Sequence, residues 1–160
     1  MSEPSDLTLE PASDPLGSEA RGSSPPYDLD AQVGFLLRRA QQRHLSIFNT
    51  RIAEGLTAQQ FAVLVKISDT GGTSQNALGR QTAMDQSTIN GVVQRLIRRG
   101  LVRRDRSATD RRMILLDLTE AGHALLFRML PVAREITRQT LAPLSEREQA
   151  RLLDLLRRIG

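Results

Sequence analysis

A mainly α fold with one small β hairpin is what this 160-residue sequence predicts. Three observations carry that expectation. Apolar residues recur at steps of three and four over most of the chain, the spacing of one helix face. Aromatic residues make up only 3% of the chain and Trp is absent, so a core must come from Leu, Ile, Val and Ala, which suits packed helices better than a sandwich or barrel. Between Leu101 and Leu118 the helical period stops, and two short runs flank a polar, Arg-rich stretch, the pattern of a hairpin.

A chain of this length supports one domain, or one domain with a dimerisation arm. Residues 1–26 are rich in Ser, Pro, Gly and acid and hold too little apolar surface to offset chain entropy, so they are expected to be a disordered acidic N-terminal tail. The tail carries Glu3, Asp6, Glu10, Asp14 and Glu19 against Arg21. The formal net charge of +4 therefore understates the rest, which holds 21 basic and 13 acidic residues, a net of +8. A basic body of this size favours polyanions. Lys66 is the only lysine, so where the arginines cluster is more informative than how many there are.

Asp28 and Asp30 are candidate caps for a long helix reaching about Ala53. Its apolar stripe is Val33, Leu37, Ala40, His44, Ile47, Phe48 and Ile52, with Arg38, Arg39, Arg43 and Arg51 largely off it. Gly55 is the expected stop, and Thr57 caps a second helix with Phe61, Leu64, Val65 and Ile67 inward, broken by Gly71-Gly72. Ser74 caps a short helix to about Thr82. A turn at Ala83-Met84-Asp85 then leads into a helix from Gln86 to Arg99, closed by Gly100. Ile89, Val92, Val93, Leu96 and Ile97 take one face of that helix, leaving Ser87, Thr88, Asn90, Gly91 and Gln94 on or near the other. This is a helix-turn-helix pattern. Strands are expected at 101–104 and 113–118, with Asp105 to Arg112 as the hairpin tip. Thr119-Glu120 starts a helix to about Thr140, bent at Pro131, and Ser145 with Glu148 forms a capping box for a last helix bearing Leu152, Leu153, Leu155, Leu156 and Ile159.

The expected architecture is thus a winged helix-turn-helix at 54–119, flanked by dimerisation helices at 27–53 and 120–160. The outer helices carry more apolar surface than a small winged core needs, so a homodimer is expected. Several functions are excluded. Without Cys there is no disulfide and no thiolate nucleophile. His44 and His123 lie far apart, and no Gly-rich phosphate loop occurs, so neither a metal nor a cofactor nor an enzyme is expected. No long apolar run or signal-peptide pattern is present, which predicts a cytoplasmic protein with no membrane partner.

A helix-turn-helix followed by a basic hairpin has a plain use on double-stranded DNA: the second helix reaches the major groove and the hairpin the groove beside it. The residues placed for that task are Ser74, Gln75, Gln86, Ser87, Thr88, Asn90 and Gln94 on the helices, with Arg106 and Arg111 on the hairpin. Asn and Gln can bond an adenine edge in two places, and hydroxyls suit phosphates or bases. Arg95, Arg98, Arg99, Arg103 and Arg104 are assigned to phosphates or to helix packing.

The segment resembles the MarR family of dimeric winged-helix repressors from about Asp28 to the C-terminus. Leu56-Thr57 with Gln60-Phe61, Asp85-Gln86-Ser87-Thr88, Arg95-Leu96 with Gly100-Leu101-Val102, Asp110-Arg111-Arg112, and Leu118-Thr119 with Gly122 carry the resemblance by their order and spacing. It implies that Arg112 enters the minor groove and that Asp110 holds it. The physics agrees, because a narrow groove concentrates negative potential and a nearby carboxylate can fix a guanidinium fork. Gly91 stands where many members have Arg or another long polar residue, which removes one contact. The resemblance also implies a small anionic or lipophilic effector, often an aromatic acid, bound between the dimer helices and the winged domain. The absence of Cys removes the thiol-based peroxide sensors. His44, one turn from Phe48, is the candidate polar handle of a cleft with Phe61, and Arg38, Arg39 or Arg43 the candidate clamp for a carboxylate or a phosphate-bearing group such as an acyl-CoA thioester. The expected function is a ligand-responsive repressor of a pseudo-palindromic operator. The alternative is a winged helix used without ligand, for protein contact or DNA architecture.

Overall fold

The computed structural model describes residues 27–52, 54–106 and 114–160. Among them the elements run α1 (Val33–Arg51), α2 (Ala58–Thr70), α3 (Gln75–Gln81), α4 (Gln86–Arg98), β1 (Val102–Arg106), β2 (Ile114–Leu118), α5 (Glu120–Leu141) and α6 (Glu146–Ile159). The expected tail at 1–26, Ala53, and the hairpin tip from Ser107 to Met113, with Asp110, Arg111 and Arg112, lie outside the described residues.

The core centres on α2, α3 and α4. Val63, Leu64 and Ile67 of α2, Leu78 of α3, and Ile89, Val92, Val93 and Leu96 of α4 are fully buried together. Each such aliphatic side chain contributes about 1.5–3 kcal/mol on leaving water, so this cluster dominates the cohesion of the reading domain. The antiparallel β1–β2 hairpin closes one end through Val102, Leu116 and Leu118, in the register Val102↔Leu118 to Arg106↔Ile114. Thr73 adds a one-residue third strand: its amide donates to the Leu116 carbonyl at 3.1 Å and its carbonyl accepts from the Leu116 amide at 2.8 Å. On the opposite side α5 packs along α1 and α2, bringing Leu125, Leu126, Met129 and Ile136 into the same core as Phe48 and Ile52.

Local chemistry sets the boundaries. Thr57 and Gln60 exchange side-chain-to-amide bonds at 3.2 and 3.1 Å in a capping box. Ser74 accepts from the Ala77 amide, and the Glu148 carboxylate accepts from both the amide and the hydroxyl of Ser145. Gly100 ends α4 in the left-handed region at φ 68°, which lets its amide reach the Ile97 carbonyl and the Leu101 amide reach the Leu96 carbonyl. Gly122 is required for closeness instead. A Cβ built there would lie 2.1 Å from the Leu101 carbonyl oxygen, where α5 starts against the root of the hairpin.

Several expectations are corrected. The first helix starts at Val33 rather than at a cap of Asp28 or Asp30, because the Asp28 carboxylate accepts from the Asp30 amide and closes a turn ahead of the helix. It also ends at Arg51, before the left-handed pair Glu54 and Gly55. The first strand continues through Asp105 and Arg106, which pair with Leu115 and Ile114 instead of belonging to the tip. Pro131 sits inside α5, as its place in the sequence predicts. It removes only the amide that would bond the Phe127 carbonyl, and both residues are exposed. No helix among the described residues is long and apolar enough to cross a membrane.

Candidate functional site

The outward face of α4 is the first candidate site. Its polar side chains are already organised. Asp85, the N-cap, accepts from the Thr88 amide at 2.9 Å, the Thr88 hydroxyl at 2.6 Å and the Ser87 hydroxyl at 2.7 Å. These bonds, those from Thr88 foremost, hold its carboxyl far below the usual carboxylate range. The hydroxyl protons of Ser87 and Thr88 are therefore committed to the cap. Either one must exchange partners to donate to a phosphate. One turn on, the Asn90 carbonyl accepts from Gln86 at 3.1 Å and also from Gln75 of α3. Gln75, Gln86 and Asn90 form one amide cluster spanning both helices of the motif. Gln94 is exposed beyond it, and Ser74 is a cap whose oxygen faces α3.

Gly91 has a use that the sequence pattern does not disclose. A Cβ there would lie 3.3 Å from a terminal nitrogen of Arg95, so the missing side chain makes room for the Arg95 guanidinium to lie back across the outer face. The Arg95 guanidinium thus occupies the outer-face space that a side chain at Gly91 would fill. Arg103 on β1 is otherwise engaged. It bonds Asp117 at 2.7 Å across the hairpin and Asp105 at 2.9 Å along it, which holds Asp117 below the usual carboxylate range. Arg106 is exposed at the last paired position of β1.

The second candidate site is a cleft of about 250 Å³ between α1, α2 and α5, lined by His44, Phe48, Ala58, Phe61, Ala62, Ala133, Ile136 and Thr137. The sequence-predicted trio meets here: the His44 and Phe48 rings are 6.3 Å apart, and those of Phe48 and Phe61 6.2 Å. Thr140 orients the imidazole. Its hydroxyl donates to the Ile136 carbonyl at 2.8 Å, so its oxygen must accept from His44 Nδ1 at 3.0 Å. Nδ1 therefore carries a proton, and Nε2 is the nitrogen that remains for a ligand: an acceptor on the neutral ring, a donor on the charged one.

The three predicted arginines are placed elsewhere. Arg38 and Arg39 lie over the Phe35 ring, at 5.3 and 5.8 Å, and Arg39 reaches Asp30 at 3.6 Å. Arg43 donates to the Gln139 carbonyl at 3.2 Å. None of them lines the cleft. Arg38 and Arg39 sit more than a turn before His44, and Arg43, one residue before it, points about 100° round the helix. The lining residues missed are Ala58, Ala62, Ala133, Ile136 and Thr137, and the available signal was Ala58 and Ala62 recurring at a four-residue step beside Phe61.

A winged helix-turn-helix with an ordered polar reading face, joined on the same chain to an aromatic-walled cleft, defines a class: DNA-binding regulators that respond to small molecules. Comparison with known proteins narrows it. The MarR family pattern matches residues 54–113. The HTH-type transcriptional repressor NicR of Pseudomonas putida is 43% identical over 89% of this chain and 90% of its own. Among solved structures, BpsR of Bordetella bronchiseptica superimposes with a TM-score of 0.80 at 42% identity, over 84% of this chain and 97% of that one. PcaV of Streptomyces coelicolor, in complex with its natural ligand, gives 0.78 at 38% identity over 85% and 96%. The chain belongs to the MarR family of transcriptional regulators.

Proposed function

We propose that this protein is a homodimeric repressor that reads its operator with α4 and the wing and is released by a small aromatic acid bound in the His44 cleft. The observation that carries the effector reading is the convergence of His44, Phe48 and Phe61 on one apolar cleft with a single oriented imidazole. The volume, about 250 Å³, suits one substituted ring; an apolar cavity of about 150 Å³ already takes benzene. An acyl-CoA thioester is far larger, so the chemistry favours the aromatic acid. BpsR, whose DNA binding is regulated by 6-hydroxynicotinic acid, supports the same class of ligand.

Dimerisation through 27–53 and 120–160 is supported by the apolar residues left in water on a single chain. Val33, Leu36 and Leu37 of α1 are exposed, and α6 has no buried residue although Leu153, Leu155, Leu156 and Ile159 line it. A two-fold dimer would set two α4 helices against successive major-groove faces about 34–36 Å apart, matching a pseudo-palindromic operator. In this reading an effector lowers operator affinity by preferring a dimer of different spacing. Gln75, Gln86, Asn90 and Gln94 reach bases or phosphates, with Arg106, Asp110, Arg111 and Arg112 serving the wing.

The test is fluorescence anisotropy on duplex DNA from the region flanking its own gene, titrated with 6-hydroxynicotinic acid and related hydroxylated aromatic acids. We expect specific binding that one of these acids weakens at least tenfold, and a response lost in His44→Ala. A His44→Ala protein that responds like wild type rejects the cleft. A wild-type protein indifferent to every acid favours the ligand-independent reading.

A further inference from the structure

We propose that Arg99 and Arg128 are positioning residues that act through Glu54 to tie the effector cleft to the recognition helix. The proposal rests on the reading that an effector occupies the cleft. The cleft's two aromatic walls belong to different helices: Phe48 is near the end of α1, and Phe61 is in the first turn of α2. A ring seated between them bears on both helices and changes their relative position. The loop between Arg51 and Ala58 is their direct covalent link, so it must absorb the change.

Two residues of that loop, Glu54 and Gly55, are held in an unusual shape by two distant elements. Glu54 is left-handed at φ 66° and Gly55 at φ 64°. Glycine adopts this region freely, but glutamate does so rarely, so the fold must hold Glu54 there. Arg99, the C-cap of α4, supplies one restraint, donating to the Glu54 carbonyl at 2.7 Å and the Gly55 carbonyl at 3.2 Å. Its planar fork spans two successive carbonyls as a lysine cannot. Arg128 of α5 supplies the other, donating to the two Glu54 carboxylate oxygens at 3.0 and 3.2 Å. One loop residue is thereby pinned to the recognition helix by its backbone and to α5, the third wall of the cleft, by its side chain.

All these bonds are exposed, and exposed ion pairs hold weakly and exchange readily. That weakness suits a switch better than a scaffold. When the cleft is empty, the latch sets the C-terminal end of α4. When α1 and α2 change their relative position, the loop carries Arg99 with it or releases it, and α4 changes its angle to the DNA. The buried packing of α2 on α4 is the competing route, and it does not use either arginine.

The experiment measures coupling rather than affinity. Full-length wild type, Arg99→Met, Arg128→Met and the double variant are compared for operator affinity with the cleft empty and loaded, on DNA flanking the protein's own gene. The cleft is loaded in two ways: by 6-hydroxynicotinic acid, and without ligand by Ala62→Phe, with Ala133→Leu as a second filling change should the first not fold. We expect loading to weaken operator binding at least tenfold in wild type and less than threefold in the double variant. Calorimetric binding of the acid to DNA-free protein should stay within about twofold. A double variant that keeps the full wild-type ratio overturns the latch and assigns the coupling to the α2–α4 packing. Filled clefts that leave wild-type operator affinity unchanged overturn it as well. Failure of the acid alone to bind wild type rejects the effector assignment, while the filling variants still decide the latch.

Discussion

Replacing Gly122 with Ala tests the junction between the wing and α5. An ideal Cβ at this position lies 2.1 Å from the Leu101 carbonyl oxygen and 3.1 Å from the carbonyl carbon. A comfortable C···O contact is about 3.3 Å. The helix start and the root of the hairpin must therefore separate by about 1.2 Å, a gap opened between two backbones, with no flexible side chain to give way. Two bonds sit at the same point. The Gly122 amide donates to the Thr119 hydroxyl at 3.0 Å, and the Thr119 amide donates to the Leu101 carbonyl at 3.1 Å. Overpacking costs about 1–3 kcal/mol and loss of a cap about 1 kcal/mol more. A strained or broken Thr119–Leu101 bond adds about 1 kcal/mol. The expected loss is about 3–5 kcal/mol, a large part of the 5–15 kcal/mol, roughly, that domains possess. Urea unfolding followed by circular dichroism measures it, at one fixed protein concentration because a dimer's apparent stability depends on concentration. A loss below about 1 kcal/mol with an unchanged denaturant slope would show that the contact yields freely and that the reasoning is wrong.

Three further predictions concern DNA binding and pH. Arg95→Ala should lower operator affinity by about 1–3 kcal/mol and relax preference at one base position, whereas a uniform loss over all sequences would make Arg95 a phosphate contact. Arg112→Ala should weaken binding and reduce the slope of log affinity against log salt by about 0.9; an unchanged slope rejects its place in the groove. Asp85 has a folded pKa below its unfolded value, so its contribution is complete above about pH 4, where the unfolded carboxylate is ionised, and is lost as pH falls through the depressed folded value. Asp85→Asn should accordingly unfold over a shallower acid limb than wild type, and superimposable acid curves would contradict the cap geometry.

What the sequence discloses is what lies within a turn or two of helix. The cap at Ser74 follows from its residue type and those at Thr57 and Ser145 from partners three residues on, and His44 with Phe48 falls on one stripe because four residues make about a turn. Phe61 joins them because two apolar stripes must face each other. The features that escape are contacts between distant segments. Arg99 meets residues 44 and 45 positions earlier, and Arg128 meets one 74 positions earlier, through exposed polar atoms that leave no periodic trace. Gly122 reads as an ordinary helix residue, and only the nearness of Leu101 reveals what it permits. Gly91 reads as a lost contact until Arg95 is seen above it. The arginines of α1 fall outside the cleft because a count of residues fixes a direction around the helix but not which neighbour claims a long side chain.

Thr73 bonds Leu116 on both sides of its peptide, so the turn before α3 and the wing form one continuous sheet edge. The base of the wing is therefore anchored to the segment that leads into α3. With the reading helix and the hairpin rooted in the same rigid block, tilting one by a few degrees sweeps the other through the same angle. In the proposed reading, an operator held by both the helix and the hairpin is then surrendered as a unit, with no stable halfway grip. Repression relieved this way should look like a sharp threshold in time at each single operator, with residence ending in one step.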